Sequence, residues 1–235
     1  MDMRYGIAIS ILITAFSSLI FGQQTIFNVP SADVMDKGKV YGELDASVKF
    51  NCEPELCKFS SFVPRVVVGT GGNVEIGLNV NGNLQPGPDT TTLVPVIKWR
   101  FYHNEKNGWT LYGGSHLYIP IRNRSYNVGN YTYVAAAKAI KNTRLTAGAY
   151  VASKNVFAQN AVRSGGQFGF EQTVSKNFCV IADWFTGKHA AGYFTPGVSF
   201  KPTSKVTGYV GYSIGNSGAA RGNHYFLMEL GYNFN

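Results

Sequence analysis

Charge is what this 235-residue chain has least of: Asp, Glu, Lys and Arg together make up 14% of it, against about 25% in an ordinary soluble domain. Cysteine is sparse too, with 3 residues, Cys52, Cys57 and Cys179. No second cysteine pair accompanies Cys52 and Cys57, and the nearest histidine, His103, is remote, so the spacing argues against a zinc site. Cys52 and Cys57 flank Glu53-Pro54-Glu55-Leu56, a loop that a disulfide would close in an oxidising compartment; two unpaired thiols fit the spacing equally well. Cys179 reads as a small buried hydrophobe. The net charge is +8, yet compact Lys/Arg runs are missing and the basic residues are scattered among loops, which argues against nucleic acid as a partner.

Long hydrophobic runs are also missing, with one exception. Ile7 to Phe21 is almost continuously apolar behind Arg4, and at about 15 residues it is short for a spanning helix, which needs roughly 20. With Gly22 before Gln23 as a cleavage point, residues 1–22 read as a secretory signal. A lipid-modified cysteine does not follow it. Beyond residue 22 nothing could cross a bilayer as a helix, so residence in a membrane would have to use strands.

What is plentiful is glycine, with 27 residues, and aromatic side chains, at 14%. These are laid out in alternation. Residues 23–39, with Pro30, Ser31, Asp33, Asp36 and Gly38, read as an irregular lead-in. From Val40 onward the chain breaks into twelve segments in which apolar and polar side chains alternate, the period that sends neighbours to opposite faces of a strand. Val74, Ile76, Leu78 and Val80, set against Glu75, Gly77 and Asn79, are the cleanest case. In the segment around 131–139, Tyr131, Tyr133, Ala135, Ala137 and Ala139 are taken as the apolar face and Lys138 as part of the polar one. Cys179, Ile181, Asp183 and Phe185 make an untidy polar face that is largely apolar. The connections near 70, 105, 142, 176 and 203 are mostly tight, and those near 54, 86, 123, 159, 189 and 218 are mostly longer.

The last segment, Tyr225 to Phe234, puts Phe226, Met228, Leu230, Tyr232 and Phe234 on one face and closes on an aromatic residue one position before Asn235. It resembles the terminal strand of bacterial outer-membrane β-barrels, with the departure that the last aromatic is penultimate. The resemblance implies an all-β fold, a single up-and-down antiparallel transmembrane barrel of about 12 strands over residues 40–235, with even strand number, short turns at one end and long loops at the other. It also implies outer-membrane lipid around the wall, and recognition by the barrel-assembly machinery through the C-terminal strand. Phe101, Trp109, Phe178, Phe200 and Phe234 would form one aromatic girdle, and Phe59, Tyr131, Trp184, Phe194, Tyr212 and Phe226 the other. A soluble β-sandwich is the rival architecture for the same alternation.

If the apolar face meets lipid, the lumen carries Glu43, Asp45, Lys49, Arg65, Glu75, Lys98, Arg100, Lys138, Arg144, Glu171, Asp183 and Glu229. Opposite charges in a narrow lumen should pair. Such a belt either rigidifies the wall or forms a constriction that water and small solutes cross. The long-loop mouth carries Lys58, Arg122, Arg124, Lys154, Arg163, Lys188 and Arg221, an electropositive rim that suits anionic solutes or acidic surface groups, or is simply solvated loop. Membrane lipases of barrel type resemble one another in a His and a Ser two residues apart on one strand face. Here His116 adjoins Ser115, which sends the two to opposite faces, and His103, His189 and His224 fall in turns, a loop and a strand end. The expectation is a porin-like channel for small hydrophilic solutes, without catalysis, metal or cofactor, with a non-conducting structural or adhesive surface barrel as the alternative.

Overall fold

A computed structural model describes residues 25–49, 59–81, 91–121, 128–154, 156, 163–218 and 221–234. Twelve strands follow one another in chain order: β1 (Val40–Val48), β2 (Phe59–Gly71), β3 (Val74–Asn81), β4 (Thr92–Asn104), β5 (Trp109–Pro120), β6 (Gly129–Ile140), β7 (Thr143–Ala152), β8 (Ser164–Ser175), β9 (Phe178–Phe185), β10 (Tyr193–Phe200), β11 (Val206–Gly215) and β12 (Tyr225–Asn233). Each pairs antiparallel with its neighbours in sequence, and β12 returns to β1. The closing seam runs from Tyr41 opposite Asn233 to Val48 opposite Phe226. Closure leaves no sheet edge, which is the condition for strands to live in hydrocarbon.

The short turns lie together at one end. At the β2–β3 turn Gly72 and Asn73 hold φ of 62° and 59° between the paired residues Gly71 and Val74, the left-handed pair that a tight hairpin requires and that glycine and asparagine supply at least cost. The alternation seen in sequence sorts the two faces of the wall. Leu44, Val66, Ile76, Ile97, Trp99, Val134, Leu145, Val180, Val210 and Leu230 face outward and are exposed, while Glu43, Glu75, Lys98, Tyr112, Tyr150, Gln167, Asp183 and Glu229 face inward and are buried. An apolar outside around a polar inside is the reverse of a soluble sandwich, and it identifies the outer face as the surface for lipid.

Strand β6 departs from expectation. Tyr131 and Tyr133 point into the lumen and are buried, and Val134 points out, 53% exposed. Tyr131 is therefore a lumen residue and not part of the girdle. The chemistry of the strand could be read either way, because Tyr-Thr-Tyr-Val-Ala-Ala-Ala has two mildly apolar faces; pairing with β5 and β7, where Tyr131 opposes His116 and Ala152, decides it. On the same strand Lys138 shares the outward face. It opposes Trp109, its Nζ stands 5.0 Å from that ring centroid, and it donates to the Asn107 carbonyl. Lys138 is thus an interfacial residue and not part of the lumen charge belt. Its ammonium reaches the polar boundary along an aliphatic stem.

The other girdle aromatics with described side chains, Phe101, Trp109, Phe178, Phe200 and Phe234 at one end and Trp184, Phe194, Tyr212 and Phe226 at the other, all face outward and exposed.

Candidate functional site

The core of the molecule is inside the barrel, and much of it comes from the lead-in. Thr25 and Pro30 form an antiparallel bridge, and the Ile26 N–H donates to the Val29 carbonyl at 2.8 Å, so residues 25–30 make a tight loop with Asn28 at its tip. The segment then runs down the lumen to Lys37, which bridges Gly69 in parallel at the short-turn end of β2. From there it enters β1.

The apolar content of this segment explains why it lies inside. Ile26, Phe27, Val29, Ala32, Val34 and Met35 are all buried, and all but Val34 join apolar clusters with the wall. Ile26 and Phe27 pack with Ile181, Tyr209 and Leu227; Val29 and Ala32 pack with Tyr112, Tyr131, Tyr133, Tyr150 and Phe185; Met35 packs with Tyr41 and Val67. The inward Ile181 and Phe185, which made the polar face of β9 look untidy, are sockets for this segment. Inward glycines complete the fit. A Cβ at Gly197 would stand 2.6 Å from Phe27 Cζ, one at Gly211 2.8 Å from the same atom, and one at Gly169 would collide with Ile26 Cδ1.

A chain inside a barrel must also satisfy its backbone polar groups, and the belt residues do this. Asp183 accepts from the N–H groups of Phe27 at 3.0 Å, Asn28 at 2.5 Å and Val29 at 2.7 Å, and from Asn28 Nδ2 at 3.3 Å. Tyr112 donates its hydroxyl to the Pro30 carbonyl at 2.7 Å, Lys98 donates to the Ser31 carbonyl at 3.3 Å, and Glu75 accepts from the Met35 N–H at 2.9 Å. Arg144 grips Asp33 with both terminal nitrogens at 2.7 and 2.8 Å. Burial pushes the Asp33 carboxyl up, but the Arg144 guanidinium outweighs it and holds the group below its ordinary value.

Within the wall, the ion pairs are cross-strand neighbours. Arg65 sits opposite Glu43, 3.2 Å away, and also meets Asp45. Lys98 sits opposite Glu75 at 2.9 Å, and Arg144 opposite Glu171 at 2.5 Å. Arg100 lies at the short-turn end and donates to Asn73 Oδ1. The structure thus brings Glu43, Asp45, Arg65 and Glu229 together in one group and Asp33, Arg144 and Glu171 in another, while Asp183 stands apart as the acceptor at the loop tip.

Above the tip lies a cavity of about 510 Å³ open toward the long-loop end, lined by Asn28, Ser47, Lys49, Ser61, Asn81 and the paired rings of Tyr193 and Tyr225, among others. Lys154, Arg163, Lys188 and Arg221 are exposed at this end. Lys58, Arg122, Arg124 and the candidate disulfide Cys52–Cys57 lie outside the described residues, as does the signal segment 1–22.

His116 packs edge-on against Tyr131 and Tyr133. Among the described residues two histidines meet a hydroxyl: His189 Nε2 stands 2.6 Å from the Tyr150 hydroxyl, which also donates to the Thr186 carbonyl, and His103 Nδ1 stands 2.8 Å from the Thr110 hydroxyl with its Nε2 4.0 Å from Glu105. Thr110 is buried and Glu105 projects into solvent from the turn, so the arrangement ties the turn to the strand.

Sequence reasoning named the charged wall residues, with Lys138 on the wrong face, but missed the lead-in that several of them contact. Two signals were there to find it: six apolar residues from Ile26 to Met35 in a supposed linker, and inward positions on β8, β9, β10 and β11 that were glycine or aliphatic.

No protein-family model matches the chain, and no curated protein matches it in sequence. Among solved structures it is similar to the KdgM porin in complex with disordered oligogalacturonate, 11% identical with a TM-score of 0.57, over 84% of this chain and 99% of that one. The KdgM porin without that ligand gives 10% identity and a TM-score of 0.56 over the same shares. An outer membrane channel from Pseudomonas putida F1 is 14% identical with a TM-score of 0.52, over 86% of this chain and 97% of that one. At these identities the likeness is one of fold, a closed antiparallel barrel of the outer-membrane kind.

Proposed function

We propose that this protein is an outer-membrane channel for small hydrophilic solutes, in which residues 25–37 act as a plug that must shift for solute to pass. The observation that carries this reading is the way the lumen is filled. A wall that served only as a scaffold could close over a hydrocarbon core, whereas here a single irregular segment occupies the lumen. That segment is tethered by hydrogen bonds and ion pairs to Asp183, Lys98, Glu75 and Arg144, beneath an open cavity lined by amides, hydroxyls and Lys49. Solved neighbours of this fold include a porin, complexed in one structure with an oligogalacturonate, and a channel. With Lys49 in the cavity and basic residues around the mouth, the favoured solutes are anionic and hydroxyl-rich, a class that amide and hydroxyl donors and an ammonium would hold.

The reading is non-catalytic, because the histidines of the described residues are engaged in packing and turn contacts. The wall would insert through recognition of β12 and the residue after it, whose Phe226, Met228, Leu230, Tyr232 and Phe234 face outward, by the assembly machinery.

The number of tethers favours a second reading, a non-conducting surface barrel whose plug is permanent. Planar-bilayer recording separates them. Wild-type protein should give discrete conductance steps, and removal of residues 25–37 should enlarge them; anionic current should dominate the reversal potential. Silence from folded protein with and without the segment would overturn the channel.

A further inference from the structure

We propose that Glu43, Asp45 and Glu229 form a binding site for a hard divalent cation inside the barrel, at the seam where β1 closes on β12. The three residues are buried, with 5, 6 and 4% exposure, and offer one carboxylate oxygen each within 4.8 Å of the others. Clustering alone would not make a site. Two further observations point to a missing positive charge.

The first is register. Asp45 and Glu229 are direct cross-strand partners, and like charges placed opposite each other destabilise a sheet pair. A barrel whose last pairing step brings two carboxylates face to face needs something between them. The second is satisfaction. Both carboxylate oxygens of Glu229 are buried without a hydrogen-bond partner among the described residues. Arg65 attracts Glu229 through space but makes no hydrogen bond to it, because its nitrogens are placed against Glu43, Asp45 and the Thr25 hydroxyl. One guanidinium against three carboxylates leaves a surplus of negative charge in a place where an unpaired carboxylate is expensive. An all-oxygen donor set of carboxylates selects a hard ion such as Ca²⁺ over softer metals. Because Arg65 also holds Thr25, such an ion would sit beside the start of the plug and lock both the seam and the segment. The site stands whether or not the lumen conducts.

The test uses the full mature chain folded in detergent, with Ca²⁺ as the stabilising ion and Tb³⁺ as the optical probe. Tyr41, whose hydroxyl donates to Glu43 at 2.5 Å, and Tyr209, the cross-strand partner of Glu229, are placed to sensitise Tb³⁺ emission. Saturable emission is expected, displaced by Ca²⁺, and Glu229→Gln should weaken it by about tenfold or more. Saturating Ca²⁺ should raise the thermal midpoint over EDTA-treated protein by about 5–10 °C, and this rise should vanish in Glu229→Gln, a change that removes an unpaired charge and so spares folding. Equal midpoints in Ca²⁺ and EDTA for the wild type, or a Ca²⁺ response unchanged in Glu229→Gln, would overturn the proposal.

Discussion

The lumen has two unlike walls. From β1 to β4 it is ionic: Glu43, Asp45, Arg65, Glu75 and Lys98 form cross-strand pairs and reach the plug through its backbone and Thr25. From β5 to β9 it is aromatic with charges set into it: Tyr112, Tyr131, Tyr133, Tyr150 and Phe185 pack on Val29 and Ala32, with Tyr150 and Phe185 stacked at 4.3 Å, while Arg144, itself paired with Glu171, grips Asp33 and Asp183 caps the loop tip. The aromatic wall holds by area, which depends little on pH or salt. The ionic wall holds by charges and directed bonds, which are strong only while every partner is present. On the proposed reading, a segment held on both sides would be positioned by the packing and released through the charged contacts.

Changes that orphan a buried group should break the comparison hardest. Asp183→Ala leaves the N–H groups of Phe27, Asn28 and Val29 without their acceptor. A cost of about 3–5 kcal/mol is expected, read as a lowered unfolding midpoint and as new protease cleavage within residues 25–37. Arg144→Met strands Asp33 and Glu171 together and should cost a similar amount, about 3–5 kcal/mol. If these variants keep the plug protected, the aromatic packing around these charges and the ionic contacts of β1 to β4 suffice to hold it.

A steric change should do less. A Cβ at Gly69 would strike the carbonyl oxygens of Met35 and Asp36, backbone atoms that cannot swing aside as a side chain does. Gly69→Val should therefore cost about 1–3 kcal/mol, visible as faster hydrogen exchange where the plug leaves the lumen.

The pH response separates charged contacts from aromatic packing on the β5 to β9 side. Asp33 ionises below its ordinary value of 3.8 because of Arg144. A carboxyl whose folded pKa is depressed contributes its full stability above the unfolded value and loses it as pH falls through the folded one. Plug protection should thus be flat at neutral pH and weaken only below about pH 4, and Asp33→Asn should lower it at pH 7 while flattening the acid response.

The smallest effect is expected outside. Lys138→Ala removes a cation from the Trp109 face at a cost of about 0.5–1 kcal/mol, with no change in lumen conductance. A change in ion selectivity would mean that this side chain reaches the lumen after all.

Most of the wall was legible in the sequence. Strand positions, their number, the tight and long connections and the facing of eleven strands follow from a period of two, since lipid on one side and a wet lumen on the other leave each residue only one suitable direction. The failure at β6 has the same cause in reverse: Tyr131, Tyr133 and Ala135 suit a packed lumen as well as a lipid face, so alternation lost its meaning there. Lys138 followed the strand to the wrong side. The cross-strand ion pairs could be named only once register was known, because Glu43 and Arg65, or Arg144 and Glu171, are too far apart in sequence for spacing to couple them.

The sequence by itself determined that strands, and not helices, would carry this chain in a membrane, because alternation and solvent are local matters that each residue settles against its neighbours. Only the tertiary structure decided what fills the barrel. Residues 25–37 have no period of their own, and their conformation is set by partners such as Asp183 and Gly197 far along the chain, which folding alone brings within reach.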